Sequence, residues 1–314
     1  MDRFWIACSL CLLVAGCRSD GESEASGDDA PATVLANASA GDSESVCQVA
    51  KTDMPLPEEV RESSGLAQSR SDASLFWTHN DAGNDAEIFG VDAEGRLVQR
   101  VRIANAQAED WEDIESGMCE TGACLYIADI GDNNGKRDGI TIYRVPEPEK
   151  GATESAPAVA LNARYPDGAQ DAESLFALPS GDLYVVTKGQ HGPIALYRYP
   201  APQRPGETVT LERVRELFPK PNKDGDRATG ATASPDGQWV GVRSHDHLYL
   251  YRAGELLGAG RAAQPTVVDL KPLKQPQGEA VVIADDGTVW LSTEAASKRE
   301  GPSWARLQCT HPGS

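Results

Sequence analysis

Five acidic or hydroxyl-bearing residues occupy equivalent places in five similar segments of the sequence, each at the start of a strand-like run. An apolar residue follows two positions later in every segment, as Leu66 and Ile114 do in the first two. If these strands line one channel, three carboxylates converge there, and they repel one another unless they are protonated or bind a cation. Hard oxygen ligands suit Ca²⁺ better than Zn²⁺ or Mg²⁺. We predict a central calcium ion held by Ser64, Glu112, Glu173, Thr229 and Glu279. The alternative is that these residues are solvated strand starts or caps for neighbouring backbone groups.

Residues suited to acid–base chemistry or ligand binding are concentrated in the loops that follow the second strand of each segment, at 78–85, 131–139, 188–193, 243–247 and 293–300. These loops should emerge on the face where the inner strands begin, and loops of this kind commonly carry function. The candidate catalytic bases are His79, Asp81 and His245. The candidate ligand-binding residues are Asn80, Asp132, Asn133, Lys188, His191 and Arg243, with Lys298 and Arg299 as further phosphate-binding cations.

Three uses of this face are compatible with the sequence. The first is hydrolysis of a phosphate ester or nucleotide, with a metal ion polarising the phosphoryl oxygens. The second is non-catalytic recognition of a peptide, glycan, small molecule or partner protein, and the third is a purely structural ring. The sequence contains no phosphate-binding loop, EF-hand or nucleophile elbow, and its histidines lack helical zinc spacing. A net charge of −19 argues against a nucleic-acid partner.

The elements that position these residues form a repeat. Each of the five segments is a hairpin with a tight turn such as "PSGD", "SPDG" or "ADDG", and two further strand-like runs follow it in the first four. The repeats begin at residues 64, 112, 173, 229 and 279, so the period is near 50 residues. Four short strands per repeat at this period predict an all-β, five-bladed β-propeller.

The ends of this domain predict how the ring closes. The fifth repeat lacks its outer strand, and the segment 44–52 can supply it, so an N-terminal strand completes the last blade. This closure places Cys47 beside Cys309, while Cys119 and Cys124 flank the first hairpin turn of blade two. An even number of cysteines in an exported domain favours disulfides, so we predict these two pairs over free thiols.

The N-terminus predicts export and anchoring. Residues 1–16 contain a short apolar run that ends in "LVAGC", which resembles the lipobox of bacterial lipoproteins, so Cys17 is the predicted lipidation site. The alternatives are an ordinary cleaved signal or an unprocessed anchor. Residues 17–45 are acidic and rich in small polar residues, which predicts a disordered tether before the propeller domain at 46–314. We expect a monomer in the bacterial cell envelope, bound to the membrane through its lipid and lying at the outer membrane or cell surface.

Two resemblances bear on function. The order Ser64-Glu112-Glu173-Thr229-Glu279 resembles the Ser-Glu-Glu-Ser-Glu ring of the calcium-activated nucleotidases (apyrases), five-bladed propellers with an axial Ca²⁺, except that Thr replaces the second Ser. The phrases "THNDAG", "DWEDIE", "ADIGDN" and "TIYRVPEP" are more similar to a group of uncharacterised bacterial exported propellers. Our leading expectation is a calcium-bearing binding or scaffolding module of the cell envelope. The alternative is a calcium-dependent phosphohydrolase.

Overall fold

The structure is a computed structural model that describes residues 34–35, 47–260, 262–284, 286–295 and 301–310. The predicted signal peptide, the lipidation site Cys17, most of the predicted tether, Lys298 and Arg299 lie outside the described residues. Within the described part, no helix is both long enough and apolar enough to cross a membrane.

The described residues form 22 strands in five sheets, with one short α-helix at Ala253–Leu257 and two 3-10 helices at Asp224–Asp226 and Lys271–Leu273. The chain begins with β1 (Val34–Leu35) and β2 (Cys47–Pro55). Blade 1 contains β3 (Ser63–Gln68), β4 (Leu75–Asn80), β5 (Glu87–Asp92) and β6 (Leu97–Arg102). Blade 2 contains β7 (Trp111–Cys119), β8 (Gly122–Asp129), β9 (Ile140–Pro146) and β10 (Val159–Arg164). Blade 3 contains β11 (Ala172–Ala177), β12 (Leu183–Thr187) and β13 (Ile194–Arg198); β14 (Thr208–Thr210) and β15 (Glu212–Phe218) follow. Blade 4 contains β16 (Ala228–Ala233), β17 (Trp239–Ser244), β18 (His247–Arg252) and β19 (Thr266–Asp269), and blade 5 contains β20 (Gly278–Ile283), β21 (Thr288–Thr293) and β22 (Ser303–Cys309).

The five sheets close into a ring around their first strands. Each inner strand contacts the next, in the order β3, β7, β11, β16 and β20, and β20 contacts β3. The inner strands are buried along nearly their whole length, whereas the outer strand β6 alternates between exposed and buried residues. Apolar side chains fill the spaces between adjacent blades, as Trp77 and Leu125 do between blades 1 and 2. The predicted all-β, five-bladed propeller is confirmed.

The closure of the ring also agrees with the sequence. Strand β2 pairs with β22 and completes the last blade, with Cys47 opposite Cys309, and these two residues form a disulfide. Cys119 and Cys124 form the second disulfide across the hairpin turn between β7 and β8. Both predicted disulfides are confirmed, and the closing strand lies three residues later than the segment 44–52.

Two details of the outer strands differ from expectation. The run after β13 was predicted as one outer strand of blade 3, but β14 pairs in parallel with β10 of blade 2, and only β15 completes blade 3. Leu211 separates the two strands; it is buried, and its N–H donates to the Arg164 carbonyl, so this junction is fixed between the blades. In addition, β1, which lies in the segment predicted to be a disordered tether, pairs with β2. The edge of β2 offers the unpaired backbone groups that this pairing uses.

Candidate metal centre

The five predicted ring residues share an irregular backbone position. In blade 1, Ser63 lies opposite Asn80 but Gly65 lies opposite His79, so Ser64 is the extra residue of a β-bulge. The same slip in pairing occurs at Glu112, Glu173 and Thr229, and in blade 5 it falls between Gly278 and Val281, a stretch that contains Glu279. Bulges re-aim side chains and are frequent beside functional sites. The common register inferred from the sequence therefore has a structural counterpart that the sequence pattern did not indicate.

The two hydroxyl members of the ring bind neighbouring inner strands. The Ser64 hydroxyl donates to the Glu112 carbonyl at 2.8 Å, which joins blade 1 to blade 2. The Thr229 hydroxyl donates to the carbonyls of Gly278 and Glu279 at 2.9 and 3.1 Å, which joins blade 4 to blade 5. These contacts correspond to the capping alternative for the two hydroxyls, and a role for them as metal ligands stays a prediction.

Three carboxylates converge at the mouth of the channel, where β4 ends and β7 begins. One oxygen of each of Asp81, Asp110 and Glu112 lies within 4.8 Å of the others, and we call these three residues the acidic cluster. Glu112 is buried, whereas the two aspartates are partly exposed. Three carboxylates at this spacing form a possible site for a metal ion, and their oxygens are the ligands that Ca²⁺ prefers.

A glycine makes room for the acidic cluster. Gly131 lies two residues after β8, and a Cβ atom there would lie 2.2 Å from Glu112 Oε1 and 2.5 Å from Asp110 Oδ2. Both distances are far below normal van der Waals contact, so a side chain is excluded while the carboxylates keep these positions. The glycine of the sequence phrase "ADIGDN" therefore has a steric reason that sequence reasoning missed.

A buried ion pair holds the loops around the cluster. The Asp129 carboxylate accepts hydrogen bonds from the backbone N–H groups of Glu109 and Asp110, both at 3.2 Å. Arg137 Nη1 lies 2.9 Å from Asp129 Oδ1 and also donates to the Gly131 carbonyl at 2.8 Å. Arg137 thus connects the segment before β7 to the segment after β8, and it positions the cluster.

Blade 3 contributes a second acidic group that is paired with a lysine. The ammonium of Lys188 contacts the carboxylate of Glu173 and lies 3.9 Å from Asp171 Oδ2. Asp171 Oδ1 accepts a hydrogen bond from the Asp132 N–H at 2.8 Å, whereas its buried Oδ2 has no hydrogen-bond partner among the described residues. Asp132 also accepts from the Arg137 N–H, so this ligand-binding candidate serves to support the loop. A buried carboxylate oxygen without a donor favours a nearby cation.

Burial and crowding raise the pKa values of these carboxyl groups. Burial and the charge of Glu173 raise the pKa of Glu112 well above its usual range. Burial, together with the charges of Asp81 and Asp171, raises the pKa of Asp110 to about 6. Burial raises the pKa of Glu173 to about 7, although Lys188 opposes the shift. Without a metal ion, part of this negative charge is therefore unfavourable, and a divalent cation would relieve the repulsion.

Glu279, the remaining ring carboxylate, faces a buried arginine. Burial and the charge of Glu173 raise the pKa of Glu279 well above its usual range. Arg243, predicted to be a ligand-binding loop residue, instead lies within β17 and is fully buried. Its guanidinium donates to the carbonyls of Ala280 and Ser292 at 2.6 and 2.7 Å, which ties blade 4 to blade 5. The predicted loop position of Arg243 was wrong, because the second strand of blade 4 extends one residue past it.

The histidine candidates occupy different environments. His79 was predicted in a loop but lies in β4, fully buried, with its ring edge-on to Trp111 at 5.7 Å. Burial lowers the pKa of His79 to about 4, so the ring is neutral at pH 7. The same burial makes it inaccessible to a substrate. His245 lies after β17, partly buried, and its Nδ1 contacts the Gly278 carbonyl at 2.9 Å. His191 is exposed, and its Nε2 lies 3.1 Å from the carbonyl oxygen of Asn133, which is also exposed.

Asn80 supports the channel mouth from blade 1. Its side-chain oxygen accepts hydrogen bonds from the N–H groups of Arg61 and Glu62 at 2.9 and 3.1 Å, and its amide donates to the Glu59 carbonyl. This fixes the loop that enters β3 beside Asp81. The structure therefore brings together Asp81, Asp110 and Glu112, and it leaves Asn80, Asn133, His191 and His245 outside this group.

Two further buried carboxylates of β7 accept hydrogen bonds from the inner strands of other blades. Asp113 Oδ2 accepts hydrogen bonds from the N–H groups of Leu175 and Ala231, at 2.8 and 3.3 Å, and so links blade 2 to blades 3 and 4. Glu115 Oε2 accepts from the Ala233 N–H at 3.3 Å. These contacts give Asp113 and Glu115 a role in holding the inner strands together.

Comparisons with known proteins support the fold. A scan of protein families finds no match, and a search of curated proteins finds none either. Among solved structures, the PQQ-bound aldose sugar dehydrogenase of Streptomyces coelicolor is 13% identical, with a TM-score of 0.50 over 84% of this chain and 98% of that one. A luciferin-regenerating enzyme (9% identity, TM-score 0.45, 85% and 96% covered) and a candidate gluconolactonase (12%, 0.45, 84% and 99%) are also similar. The class that follows is a β-propeller, here with an acidic cluster at its channel mouth, and the resemblance to calcium-activated nucleotidases stays a prediction.

Proposed function

We propose that this chain is a cell-envelope propeller that binds Ca²⁺ at its acidic cluster and uses the metal-bearing face to recognise a ligand. The observation that carries the proposal is the convergence of Asp81, Asp110 and Glu112 within 4.8 Å. The buried Oδ2 of Asp171 supports it independently: this oxygen lies on the neighbouring blade, has no hydrogen-bond partner among the described residues and has the Lys188 ammonium 3.9 Å away. The charge of Asp171 acts on two members of the cluster. All of these donors are oxygens, which favours Ca²⁺ over Zn²⁺.

The partial exposure of Asp81 and Asp110 leaves room for a ligand on the open side of the site. Ca²⁺ takes six to eight oxygen ligands, more than the cluster supplies, so an anionic or hydroxyl-rich ligand can complete the coordination. Such a ligand would also meet the exposed Asn133 and His191 on the same face. The predicted ring residue Glu173 lies close enough to the cluster for its charge to raise the pKa of Glu112.

Calorimetric titration with CaCl₂ after removal of metal with EGTA tests this proposal. Wild-type protein should bind Ca²⁺ and gain thermal stability, and Asp110→Asn and Glu112→Gln should each weaken binding at least about tenfold. Asp224→Asn is the matched control, because it removes an exposed carboxylate outside the cluster. Wild-type protein that binds no Ca²⁺, or variants that bind as tightly as the control, would refute the proposal.

A second candidate function is calcium-dependent phosphoester hydrolysis, and the geometry of His245 favours it. The Gly278 carbonyl can only accept, so the neutral ring donates from Nδ1 and keeps Nε2 as a potential base. Burial, followed by the charges of Arg243 and Lys188, lowers the pKa of His245, so the neutral form prevails at pH 7. His245 Nε2 would take the proton of a water molecule that attacks phosphorus, and the leaving oxygen would take a proton from solvent. A bound metal ion would polarise the phosphoryl oxygens.

Phosphate release from nucleoside di- and triphosphates, measured with Ca²⁺ and with EGTA, separates the two functions. Hydrolysis that requires Ca²⁺ and is lost in His245→Gln would establish the enzyme. Calcium binding without phosphate release would support the recognition function instead. Activity that persists in Glu112→Gln and Glu173→Gln would place the catalytic centre elsewhere.

Export and anchoring form a separate part of the proposal. We propose that Cys17 carries the lipid and that residues 17–45 hold a monomeric propeller away from the bacterial membrane. Metabolic labelling with a palmitate analogue tests this, since label should appear on wild-type protein and disappear in Cys17→Ser. Labelled Cys17→Ser protein, or wild-type protein released without lipid, would contradict it.

A further inference from the structure

Lys188 enters the channel mouth from a backbone that is fixed on both sides. It follows β12, and its N–H donates to the Asp171 carbonyl at 2.9 Å. Its own carbonyl accepts from the Ala228 N–H at 3.1 Å, so the residue is tied to blades 3 and 4. Its side chain is only 15% exposed. The ammonium can therefore move away from Glu173 by rotation of the Lys188 side chain, whereas its backbone stays in place.

The charge of Lys188 balances carboxylates from several blades. Its ammonium contacts Glu173 and lies 3.9 Å from the otherwise partnerless Asp171 Oδ2. The same charge favours the ionised forms of Asp81 and Glu112, two members of the acidic cluster. Lys188 thus performs, in the metal-free protein, part of the charge compensation that a divalent cation would provide.

We propose that the Lys188 ammonium competes with a divalent cation at the acidic cluster for the negative charge of the carboxylates around the channel mouth, so that Lys188 sets the affinity of the metal site. This inference rests on the proposed function, because it concerns regulation of the same site. A carboxylate oxygen that accepts a hydrogen bond from an ammonium offers less electron density to a metal ion, and the two cations repel each other. Metal binding therefore releases Lys188 from Glu173, and removal of Lys188 strengthens metal binding.

Calcium titration of a lysine series tests the competition. Lys188→Met should bind Ca²⁺ at least about tenfold more tightly than wild type, which corresponds to about 1.4 kcal/mol. Lys188→Arg retains the charge and should remain close to wild type. Lys271→Met is the matched control, because it removes an equal charge next to Asp246 and Asp269 rather than next to Glu173. Lys188→Met should also melt at a lower temperature without metal and regain stability with Ca²⁺.

The outcomes separate this inference from the proposed function. Wild-type protein that binds Ca²⁺ while Lys188→Met binds no more tightly than Lys271→Met would overturn the competition and leave the metal site standing. Ca²⁺ binding by Lys188→Met but not by wild-type protein would support the competition. It would also show that Lys188 is the natural counter-ion of the carboxylates, which overturns the proposed function. An absence of binding in every protein would overturn both.

A measurement on wild-type protein guards against a variant that fails to fold. The rate of Lys188 acetylation by acetic anhydride, followed by peptide mass spectrometry, should rise several-fold when Ca²⁺ is added, because the amine is released from Glu173. Lys271 should keep the same rate. An unchanged or slower rate at Lys188, in protein that binds Ca²⁺, would overturn the inference.

Discussion

The substitution Gly131→Ala tests whether the geometry of the acidic cluster matters, without removing any charge. The added Cβ would lie 2.2 Å from Glu112 Oε1, whereas real Cβ atoms essentially never approach another atom within 3.0 Å, so this oxygen must move by about 0.8 Å. The Asp110 carboxylate, 2.5 Å away, must move as well. Both clashing groups are ends of side chains that can rotate, so the fold should survive while the arrangement of the carboxylates is lost.

The expected loss follows from the narrow distance range of calcium ligands. Ca–O distances span about 2.3–2.6 Å, so a shift of about 0.8 Å takes an oxygen out of coordination distance. Displacing groups that orient metal ligands typically costs about 10- to 100-fold in affinity, and we expect a loss of this size. Calorimetric titration with CaCl₂ measures it, and circular dichroism shows whether the fold is retained.

Gly192→Ala is the matched control for this experiment. Gly192 lies in a loop at the same face, and the nearest atom to an added Cβ there is 3.9 Å away, so neither fold nor affinity should change. Gly131→Ala protein that is folded and binds Ca²⁺ as tightly as Gly192→Ala would refute the steric argument and the place of Glu112 and Asp110 in the site.

Three further predictions concern the scaffold. Replacing Cys47 and Cys309 by serine opens a loop of 262 residues, so the free energy of unfolding should fall by about 5 kcal/mol in denaturant titrations under non-reducing conditions; a loss below about 1 kcal/mol would contradict this role in closure. Burial raises the pKa of Glu115 to about 7, although the nearby Arg70 opposes the shift, so its charged form costs stability above pH 7 and this cost disappears as pH falls towards 4.5. Glu115→Gln should lack this gain in unfolding free energy as pH falls. Plots of unfolding free energy against pH that run parallel for the wild type and the variant would contradict the prediction. Arg243→Met removes the guanidinium hydrogen bonds to the Ala280 and Ser292 carbonyls of blade 5 and should cost about 2–5 kcal/mol of unfolding free energy, whereas a neutral effect would show that these bonds are replaced.

The sequence was sufficient to predict the architecture because propeller blades repeat. Tight turns and four strand-like runs in a period near 50 residues predicted five blades, and the missing outer strand of the last blade predicted closure and the Cys47–Cys309 bond. The pairing of β14 with blade 2 was missed, because strand propensity alone does not tell which sheet an outer strand joins. That choice depends on how Leu211 packs between two blades.

The site was predictable only in part. Glu112 and Asp81 were both singled out, but with different roles, and Asp110 was not among the predicted site residues because an acidic run in a loop is common. Their convergence depends on a bulge at Glu112 and on the space left by Gly131, neither of which has a signature in one sequence. His79 and Arg243 were placed in loops because polar residues at a strand end resemble loop residues, whereas the structure buries both.

A crystal structure of the protein grown with CaCl₂ tests the central claim most directly. We predict an ion with anomalous signal at about 2.3–2.6 Å from carboxylate oxygens of Asp81, Asp110 and Glu112, with Lys188 turned away from Glu173. An empty cluster in such a crystal, or an ion bound elsewhere while these carboxylates stay as they are, would contradict the account.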